Sequence, residues 1–265
     1  MKKLPTIDIR DITVRFRTPE GPLTAIENVS ATIAPRSFLT VVGPSGCGKT
    51  TLLKVLSGVL TPSGGEVFFD DRPLAKAEMT GRIGYVFQRP MLLPWRTALD
   101  NVMLTMEVAR KETSKREREQ EARRWLDIVG LKGFEDRHPH ELSGGMQQRV
   151  SISRALVFQP QILLMDEPFA ALDEITRETM QDQLLSLWSA IDTTVIFITH
   201  SISEAVLLSE EILVMSARPG RVIETIKVPF ERPRSETIRG LPRFAELTDQ
   251  IRRHLRAGRA DSERN

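Results

Sequence analysis

Cysteine is almost missing from this chain of 265 residues, and long apolar runs are missing as well. The single cysteine, Cys47, allows neither an internal disulfide nor a thiolate-rich zinc site, which agrees with a reducing compartment. The longest stretch without a charged residue, Ser37–Gly48, is far shorter than the about 20 apolar residues that a membrane-spanning helix needs. We therefore expect a chain that does not cross a membrane.

A dominant charge of one sign is lacking too. The 37 Lys and Arg residues face 35 Asp and Glu residues, and this balance produces no basic field of the kind that favours nucleic acid. The N-terminal residues Met1–Pro5 are followed at once by the charged residues Asp8 and Arg10, in place of the apolar core of a signal peptide. We expect a cytosolic protein that does not bind nucleic acid.

Short apolar runs separated by turn signals characterise the first part of the chain. The turn signal Glu20-Gly21-Pro22 follows the first run, and Phe38–Val42 is continuously apolar, as expected of a buried strand. This run leads through the glycine-rich Gly43–Gly48 into Lys49–Leu60, which has helical periodicity. The predicted strands are Ile7–Phe16, Val29–Ile33, Phe38–Val42 and Glu66–Phe69.

The rest of the chain passes from helices to alternating strands and helices. Helical periodicity in Leu99–Ala109 and Glu117–Val129 predicts an inserted helical lobe. The later alternation predicts βα units around a parallel sheet, with a hairpin turn at Pro219-Gly220. The later elements are predicted at Ile162–Met165, Arg177–Ala190, Thr194–Thr199, Ile202–Leu208, Ile212–Met215, Val222–Val228 and Phe244–Leu255, followed by a frayed tail, Ala257–Asn265.

The segment Gly43–Thr50, hereafter the phosphate loop, reads Gly-Pro-Ser-Gly-Cys-Gly-Lys-Thr and matches a phosphate-binding pattern. It lies between a buried strand and a helix start, where backbone N–H groups and the helix dipole favour an anion. Lys49 would reach the β and γ phosphates of a nucleotide, and the Thr50 hydroxyl would bind Mg²⁺. The alternative is a loop that serves only as a turn, but chance should produce this pattern in roughly one such chain in a hundred.

Two adjacent carboxylates, Asp166 and Glu167, follow the apolar run Ile162–Met165. Carboxylates at strand ends in an open α/β sheet face the ligand crevice. Asp166 can therefore hold Mg²⁺ through water, while Glu167 polarises an attacking water molecule. The alternative is a pair that caps a helix, and the phosphate loop upstream favours the functional interpretation.

A second glycine-rich helix start, Leu142–Gln147, reads Leu-Ser-Gly-Gly-Met-Gln. Ser143 is suited to cap a helix that runs through Leu156. A single mononucleotide site needs only one such loop. From the residues alone, this segment is either a capped helix or a second anion site.

Together these motifs resemble the nucleotide-binding subunit of an ATP-binding-cassette (ABC) transporter. The resemblance covers most of the chain, from about Ile7 to Val228, and the motifs stand in the family's order. They are the Walker A loop (Gly43–Thr50), the Q-loop glutamine (Gln88), the signature (Leu142–Gln147), the Walker B strand (Ile162–Asp166), the D-loop (Ala171-Leu172-Asp173) and the switch histidine (His200).

The resemblance implies the P-loop NTPase fold of ABC ATPases, which belongs to the α/β class. Its mixed or parallel sheet is flanked by helices, an antiparallel β part lies near the N-terminus, and a helical subdomain is inserted. We expect a single domain, 1–265. Its core is 1–88 with 157–230, its helical subdomain with the signature is 89–156, and its short helical tail is 231–265.

The resemblance also implies a head-to-tail homodimer, in which Ser143–Gly145 of one subunit close on the γ-phosphate held by Lys49 of the other. Glu167 would be the general base, and His200 would contact the γ-phosphate and the attacking water. The residues expected at Mg²⁺ are Thr50, Gln88 and Asp166. The residues expected to bind ATP are Phe16, Gly43, Pro44, Ser45, Gly46, Cys47, Gly48, Lys49, Thr50, Thr51, Gln88, Ser143, Gly144, Gly145 and Asp173.

Adenine needs an aromatic surface, and the family places one shortly before the second strand. Phe16 is the matching residue here. Stacking of a base on an aromatic ring is worth roughly 1–3 kcal/mol in nucleic-acid complexes. The alternative for Phe16 is ordinary packing in the core.

The segment Gln88–Asn101 concentrates Pro, Met, Leu and Trp95, and such a surface is costly to expose unless it packs against something. The family uses this region to bind a helix of its membrane permease, and the alternative is local packing within the lobe. Within the family, Pro168–Asp173, Leu93–Trp95 and the hairpin Met215–Arg221 resemble the nitrate, sulfonate and taurine importers.

The resemblance thus implies the ATPase subunit of an import system at the cytoplasmic face of the cell membrane. Its expected partners are integral-membrane permease subunits and, through them, an extracytoplasmic solute-binding protein. One alternative is a soluble ABC ATPase that clamps nucleic acid or ribosomes, although such proteins usually carry two cassettes or a long coiled coil. Another is an exporter subunit, against which the lack of a fused membrane domain argues.

Overall fold

A computed structural model describes residues 4–74, 81–110 and 112–262, and leaves the side chains of 259–262 undescribed. The chain divides into two compact units. The first unit is formed by Met1–Met79 and Thr193–Asn265, and the second by Thr80–Asp192. Within the ranges that are described, no helix combines the length and the apolar composition needed to cross a bilayer.

Strands and helices are numbered along the chain. The strands are β1 (Ile7–Thr18), β2 (Gly21–Ile33), β3 (Phe38–Val42), β4 (Gly64–Phe69), β5 (Arg72–Pro73), β6 (Ile83–Val86), β7 (Ile162–Asp166), β8 (Thr194–Thr199), β9 (Glu211–Met215) and β10 (Val222–Lys227). The helices are α1 (Lys49–Leu56), α2 (Ala98–Ala109), α3 (Lys115–Ile128), α4 (Gly144–Leu156), α5 (Glu174–Ala190), α6 (Ile202–Leu208) and α7 (Pro242–Ser262). Short 3₁₀ helices occupy Pro139–Glu141 and Glu236–Gly240.

The first unit begins with an antiparallel sheet in the order β2-β1-β4-β5. Strand β2 starts at Gly21, whereas the sequence predicted a strand only from Val29. The turn was predicted at Glu20-Gly21-Pro22, but it lies at Pro19 and Glu20, because Thr18 pairs with Gly21 and both Gly21 and Pro22 belong to β2. Pro22 is tolerated in β2 because β2 lies at the edge of this sheet, where a missing N–H donor breaks no ladder.

The first unit also contains the parallel strands on which the phosphate loop is built. Strand β3 lies between β8 and β9 and is parallel to both, while β10 is antiparallel to β9. All residues of β3 and β8 are buried, which explains their continuous apolar and β-branched sequences. This sheet and the antiparallel one, with helices packed on them, confirm the predicted α/β class.

Two helix ends in the first unit differ from the sequence prediction. Helix α1 ends at Leu56 and not at Leu60, because Gly58 takes a left-handed φ of 70°. Helix α7 continues to Ser262, so the prediction of a frayed tail from Ala257 was wrong at least as far as that residue. At Gly258 an added Cβ would lie 2.4 Å from Cδ1 of Ile223, so the helix packs tightly on β10 beyond its predicted end.

The second unit combines the parallel pair β6 and β7 with four helices. Helix α4 packs against both α2 and α3, which are the two helices that the sequence periodicity predicts. Helix α3 begins two residues earlier than predicted, because Ser114 and Glu117 form a reciprocal capping box. Helix α5 likewise begins three residues before the predicted Arg177, because Asp173 caps it.

Candidate functional site

The phosphate loop leaves the buried strand β3 at Gly43 and enters α1 at Lys49. Val42, the last residue of β3, pairs with Thr199, the last residue of β8. The loop and His200 therefore begin at the same edge of the first unit's sheet. This carboxyl edge is where open α/β sheets bind ligands.

Lys49 is folded back over the loop that precedes it. Its side chain is only 6% exposed, and Nζ donates hydrogen bonds to the carbonyl oxygens of Gly43 at 2.9 Å and Pro44 at 3.1 Å. A buried ammonium group requires acceptors of this kind. The side chain of Lys49 is thus held inside the loop. The oxygens of a bound phosphate would compete with these two carbonyl oxygens for the hydrogen bonds of Nζ.

Two glycines of the phosphate loop are required by close approaches. Gly48 has a φ of 99°, and a Cβ there would lie 2.3 Å from Cγ2 of Ile26 on β2. A Cβ at Gly43 would lie 2.6 Å from Sγ of Cys47. The Cys47 side chain is buried beneath the loop, so the loop offers a phosphate the backbone of Cys47 and not its thiol.

The phosphate loop presents an open outer face. Ser45, Gly46 and Thr50 are exposed, and Thr51 is half-buried. Gly48 is the N-cap of α1 and has no side chain with which to occupy the first N–H groups of the helix. These N–H groups and the nearby Lys49 make this helix start suited to an anion.

Phe16 lies on β1 opposite Leu23 of β2, and it is 38% exposed. Such exposure argues against the alternative that Phe16 is ordinary core. Strand β2, on which β1 pairs, also reaches the phosphate loop, because Ile26 of β2 lies against Gly48. The exposed aromatic ring and the phosphate loop therefore lie on neighbouring elements of the first unit.

His200 is exposed and immediately follows β8, between residues that fix its backbone. Thr199 donates its hydroxyl to the carboxylate of Glu204 at 2.5 Å and accepts a hydrogen bond from the N–H of Ser201 at 3.0 Å. Ser201 in turn caps α6 by accepting from the N–H of Glu204. The sequence analysis missed the buried Glu204, although a carboxylate on the inner face of an apolar helix was a usable signal.

In the second unit, Gln88 and Glu167 come together at the carboxyl edge of the pair β6 and β7. Val86 of β6 pairs with Met165 of β7. Gln88 lies two positions after Val86, and Glu167 lies two positions after Met165. The amide Nε2 of Gln88 lies 3.5 Å from the carboxylate Oε2 of Glu167. Glu167 also adopts a left-handed φ of 45°, and such unusual backbone conformations are enriched at functional sites.

Asp166 ends β7 and carries its charge next to Tyr85 of β6. Burial, and after it the negative charge of Asp166, raise the pKa of the Tyr85 phenol above its ordinary value. Tyr85 stacks on Phe87 with ring centroids 4.3 Å apart. The phenol therefore stays neutral around pH 7.

The second glycine-rich segment, Leu142–Gln147, hereafter the signature loop, is a helix start at which Ser143 and Gly144 are exposed and Leu142 is buried. Ser143 caps α4 by accepting a hydrogen bond from the N–H of Met146 at 3.3 Å. No described residue lies within 4 Å of where a Cβ would sit on Gly144. At Gly145 a Cβ would lie 2.8 Å from Cγ2 of Thr176, in the first turn of α5.

Asp173 is the exposed N-cap of α5, beside the signature loop. Its carboxylate accepts a hydrogen bond from the N–H of Thr176 at 2.9 Å. Hydrogen bonds from Thr176 lower the pKa of this carboxyl below its ordinary value. The starts of α4 and α5 thus form one exposed surface of the second unit, with the carboxylate of Asp173 engaged as a cap.

The segment after Gln88 exposes apolar side chains on an ordered backbone. Met91 and Trp95 are 63% and 71% exposed, so local packing within the lobe does not account for them. Phe87, just before the segment, is 44% exposed. The guanidinium of Arg154 on α4 donates to the carbonyls of Pro90 and Met91, each at 2.7 Å.

Two side chains that the sequence analysis missed thus order this segment. Arg154 is almost fully buried, and Asn101 is fully buried and bonds the backbone of Leu93 through both its oxygen and its nitrogen. An arginine on the buried side of α4 was the available signal for the first. The segment is therefore held in a defined shape while its apolar side chains face outward.

Each unit brings part of the predicted site together. The first unit joins the phosphate loop to His200 along one sheet edge and to the strands that carry Phe16. The second unit joins Gln88 to Glu167, and the signature loop to the helix capped by Asp173.

The chain is similar in sequence to a known family and to proteins of that family. Residues 26–170 match the family model described as ABC transporter. The taurine import ATP-binding protein of Rhizobium johnstonii is 47% identical, with 86% of this chain and 87% of that protein covered. The nitrate import ATP-binding protein of Synechococcus elongatus is 42% identical, with 88% and 85% covered.

A solved structure is also similar to this chain. It is the dimeric structure of a post-hydrolysis state of an ATP-binding cassette bound to ADP and Pi. It is 34% identical to this chain with a TM-score of 0.76, and the match covers 85% of this chain and all of that one.

Proposed function

Because this chain belongs to the family of ABC transporter ATP-binding proteins and is an ATPase subunit of that kind, we propose that it powers the import of a small solute through a separate membrane permease. The observation that carries this proposal is the similarity, over more than four fifths of the chain, to taurine and nitrate import ATP-binding proteins. Nitrate, a sulfonate, taurine or a related compound is the proposed cargo.

ATP is proposed to bind at the phosphate loop of the first unit. Lys49 would exchange the carbonyl oxygens of Gly43 and Pro44 for oxygens of the β and γ phosphates. Backbone N–H groups between Gly43 and Thr51, apart from Pro44, which has none, would surround the phosphates, and Phe16 would stack on the adenine ring. The buried, folded-back Lys49 and the exposed Phe16 support this assignment.

The residues proposed to hold Mg²⁺ are Thr50, Gln88 and Asp166. Their hydroxyl, amide and carboxylate oxygens are the hard ligands that this ion prefers, and Thr50, the last residue of the phosphate loop, is exposed. When bound, the ion supplies positive charge that neutralises phosphate oxygens. Asp166 contributes the carboxylate at the end of β7.

Glu167 is proposed as the general base. Its carboxylate would accept a proton from a water molecule as that water attacks the γ-phosphorus and the bond to the β–γ bridging oxygen breaks. Gln88, already 3.5 Å from this carboxylate, would orient it, and His200 would donate a hydrogen bond to the γ-phosphate. The hydrogen bonds of Thr199 and Ser201 on either side of His200 fix its backbone, which supports a role for its ring at a defined position.

Two copies of the chain are proposed to close head to tail. In this dimer Ser143, Gly144 and Gly145 of one copy would complete the nucleotide site at Lys49 of the other, with Asp173 at the same interface. The exposed, capped starts of α4 and α5 support this assignment, as does the dimeric cassette with ADP and Pi.

The permease is proposed to dock on the ordered apolar segment Gln88–Asn101, which carries Met91 and Trp95, together with the adjacent Phe87. This surface would place the protein at the cytoplasmic face of the membrane. An extracytoplasmic solute-binding protein would act through the permease, without touching this chain. The exposure of these three side chains on a backbone held by Arg154 and Asn101 supports a docking role.

A tagged pull-down from detergent-solubilised membranes of the source cell tests the import function. We expect a polytopic permease to copurify with the wild-type chain and to be lost from Trp95→Ser. The matched control is Ile128→Ser on α3, because Ile128 is also an exposed apolar residue of the second unit. Recovery of ribosomal or DNA-associated partners from the soluble fraction alone would contradict the import function.

A further inference from the structure

The loop Ser216–Arg221, hereafter the hairpin loop, joins β9 to β10 and lies against the phosphate loop. Its approach is closest at Gly220, where a Cβ would lie 1.9 Å from the carbonyl oxygen of Cys47. At Gly43 a Cβ would lie 3.2 Å from Cβ of Met215, the residue just before the loop. The two loops are therefore packed backbone against backbone.

Arg218 extends from the hairpin loop to the phosphate loop. Its Nε and Nη2 atoms each donate a hydrogen bond to the carbonyl oxygen of Gly46 at 3.2 Å. Gly46 has a left-handed φ of 76°. The guanidinium group is exposed, so these bonds are a feature of the protein surface and not of the core.

The hairpin loop is itself anchored, so Arg218 extends from a fixed base. The Ser216 hydroxyl donates to the carbonyl of Pro219 and accepts from the N–H of Arg221, both at 2.9 Å. Gly220 donates its N–H to the carbonyl of Ala25 and accepts from the N–H of Glu27, both at 3.0 Å.

The geometry of the peptide bond gives these contacts a consequence for anion binding. A trans peptide unit is planar, and its C=O and N–H groups point in opposite directions. A partner that fixes the Gly46 carbonyl outward therefore fixes the N–H of Cys47 on the opposite side. The contact of Gly220 with the Cys47 carbonyl constrains the next N–H, that of Gly48, in the same way.

We propose that Arg218 is a positioning residue for phosphate binding: it holds the Gly46 carbonyl outward, so that the N–H of Cys47 is directed into the phosphate loop before the nucleotide arrives. This inference rests on the proposed nucleotide site at Gly43–Thr50. The N–H of Cys47 now donates to the carbonyl oxygen of Pro44 at 3.3 Å, and a phosphate oxygen would replace this acceptor. An N–H whose direction is fixed in advance lowers the cost of reorganisation on binding, and the guanidinium adds positive charge to the rim of the loop.

Steady-state ATPase kinetics of the full chain test the proposal. Arg218→Ala should raise the KM for MgATP about three- to tenfold, as expected for hydrogen bonds of this strength, with kcat changed less than about twofold. Arg218→Lys should recover part of the affinity, because an ammonium group can still donate to Gly46. The control is Arg221→Ala, because Arg221 is on the same loop but pairs with Glu27.

The outcomes separate this inference from the proposed nucleotide site. An unchanged KM in Arg218→Ala overturns the positioning role, and so does an equal rise in Arg221→Ala, which would indicate general loosening of the hairpin loop. Lys49→Ala, measured alongside by direct binding of ATP, should lose affinity. If Lys49→Ala keeps its affinity, the nucleotide site itself is misplaced; if only the Arg218 variants behave as wild type, only this inference fails.

Discussion

The phosphate loop and the signature loop are both glycine-rich helix starts, yet their surroundings differ. Around the phosphate loop, Ile26 and Gly220 approach the backbone closely, and Lys49 occupies its interior. The signature loop is exposed, and Ser143 already caps its helix. Neighbouring elements thus hold the phosphate loop closely, whereas Ser143 and Gly144 of the signature loop face solvent, as the proposed contact with another copy requires.

The largest expected effect is on the rate of ATP hydrolysis, when Glu167 is replaced. Glu167→Gln should lower the rate of ATP hydrolysis by about 10²–10⁴-fold, because the amide cannot accept the proton of the attacking water. ATP binding at the phosphate loop should persist, since Glu167 is proposed to act on the attacking water and not on the phosphates. The hydrolysis rate is measured by phosphate release, and ATP binding is measured by equilibrium titration. Rapid ATP turnover by this variant would exclude Glu167 as the base.

The next largest effect is expected on the affinity of the phosphate loop for ATP. Lys49→Ala should weaken ATP binding by about a hundredfold, because charge-assisted hydrogen bonds to the phosphates are lost. Calorimetric titration with MgATP measures this loss. Thr50→Val, which removes a proposed Mg²⁺ ligand but keeps Lys49, is the companion variant, and its affinity for ATP without Mg²⁺ should match that of the wild type.

A smaller effect is expected at the signature loop. Ser143→Ala removes the cap of α4 and should cost about 1 kcal/mol of unfolding free energy without changing the ATP affinity of the isolated subunit. Association of two subunits in the presence of ATP should weaken. Ser114→Ala, which removes the cap of α3 in the same unit, is the matched control. If both variants weaken association equally, the effect reports stability and not a contact of Ser143.

The smallest effect concerns pH. The pKa of Asp173 is lowered in the folded protein by hydrogen bonds from Thr176, so its contribution to stability is present above the pKa of the unfolded chain and is lost as the pH falls through the folded value. Asp173→Asn keeps an N-cap but cannot titrate. Thermal unfolding from pH 7 to pH 3 should show the difference between the two proteins shrink at low pH; a difference that grows would contradict this assignment.

Local sequence patterns predicted those features of the fold that depend on residues close together in the chain. The phosphate loop between β3 and α1, and Ser143 as a helix cap, follow from short-range geometry and were predicted correctly as structure. Helix α1 was predicted too long because the left-handed conformation of Gly58 leaves only a weak trace in the sequence. The functional roles of these residues stay predictions.

The contacts that hold the site were not predictable in the same way. Arg218 and Gly46 are 172 positions apart in the chain, and Arg154 lies 63 positions from Met91. Such pairs form only when the fold has brought distant backbone segments together, and a single sequence carries no record of which carbonyl a given arginine will reach. An arginine between apolar neighbours shows that a partner is needed without showing which one.

The most direct test of the account is the mass of Glu167→Gln in solution, measured by light scattering with and without MgATP. We predict a monomer without nucleotide and a dimer with MgATP, and we predict that the added change Ser143→Arg keeps ATP bound while abolishing the dimer. A chain that remains monomeric at full occupancy of ATP would contradict the claim that the signature loop of one copy completes the phosphate loop of the other.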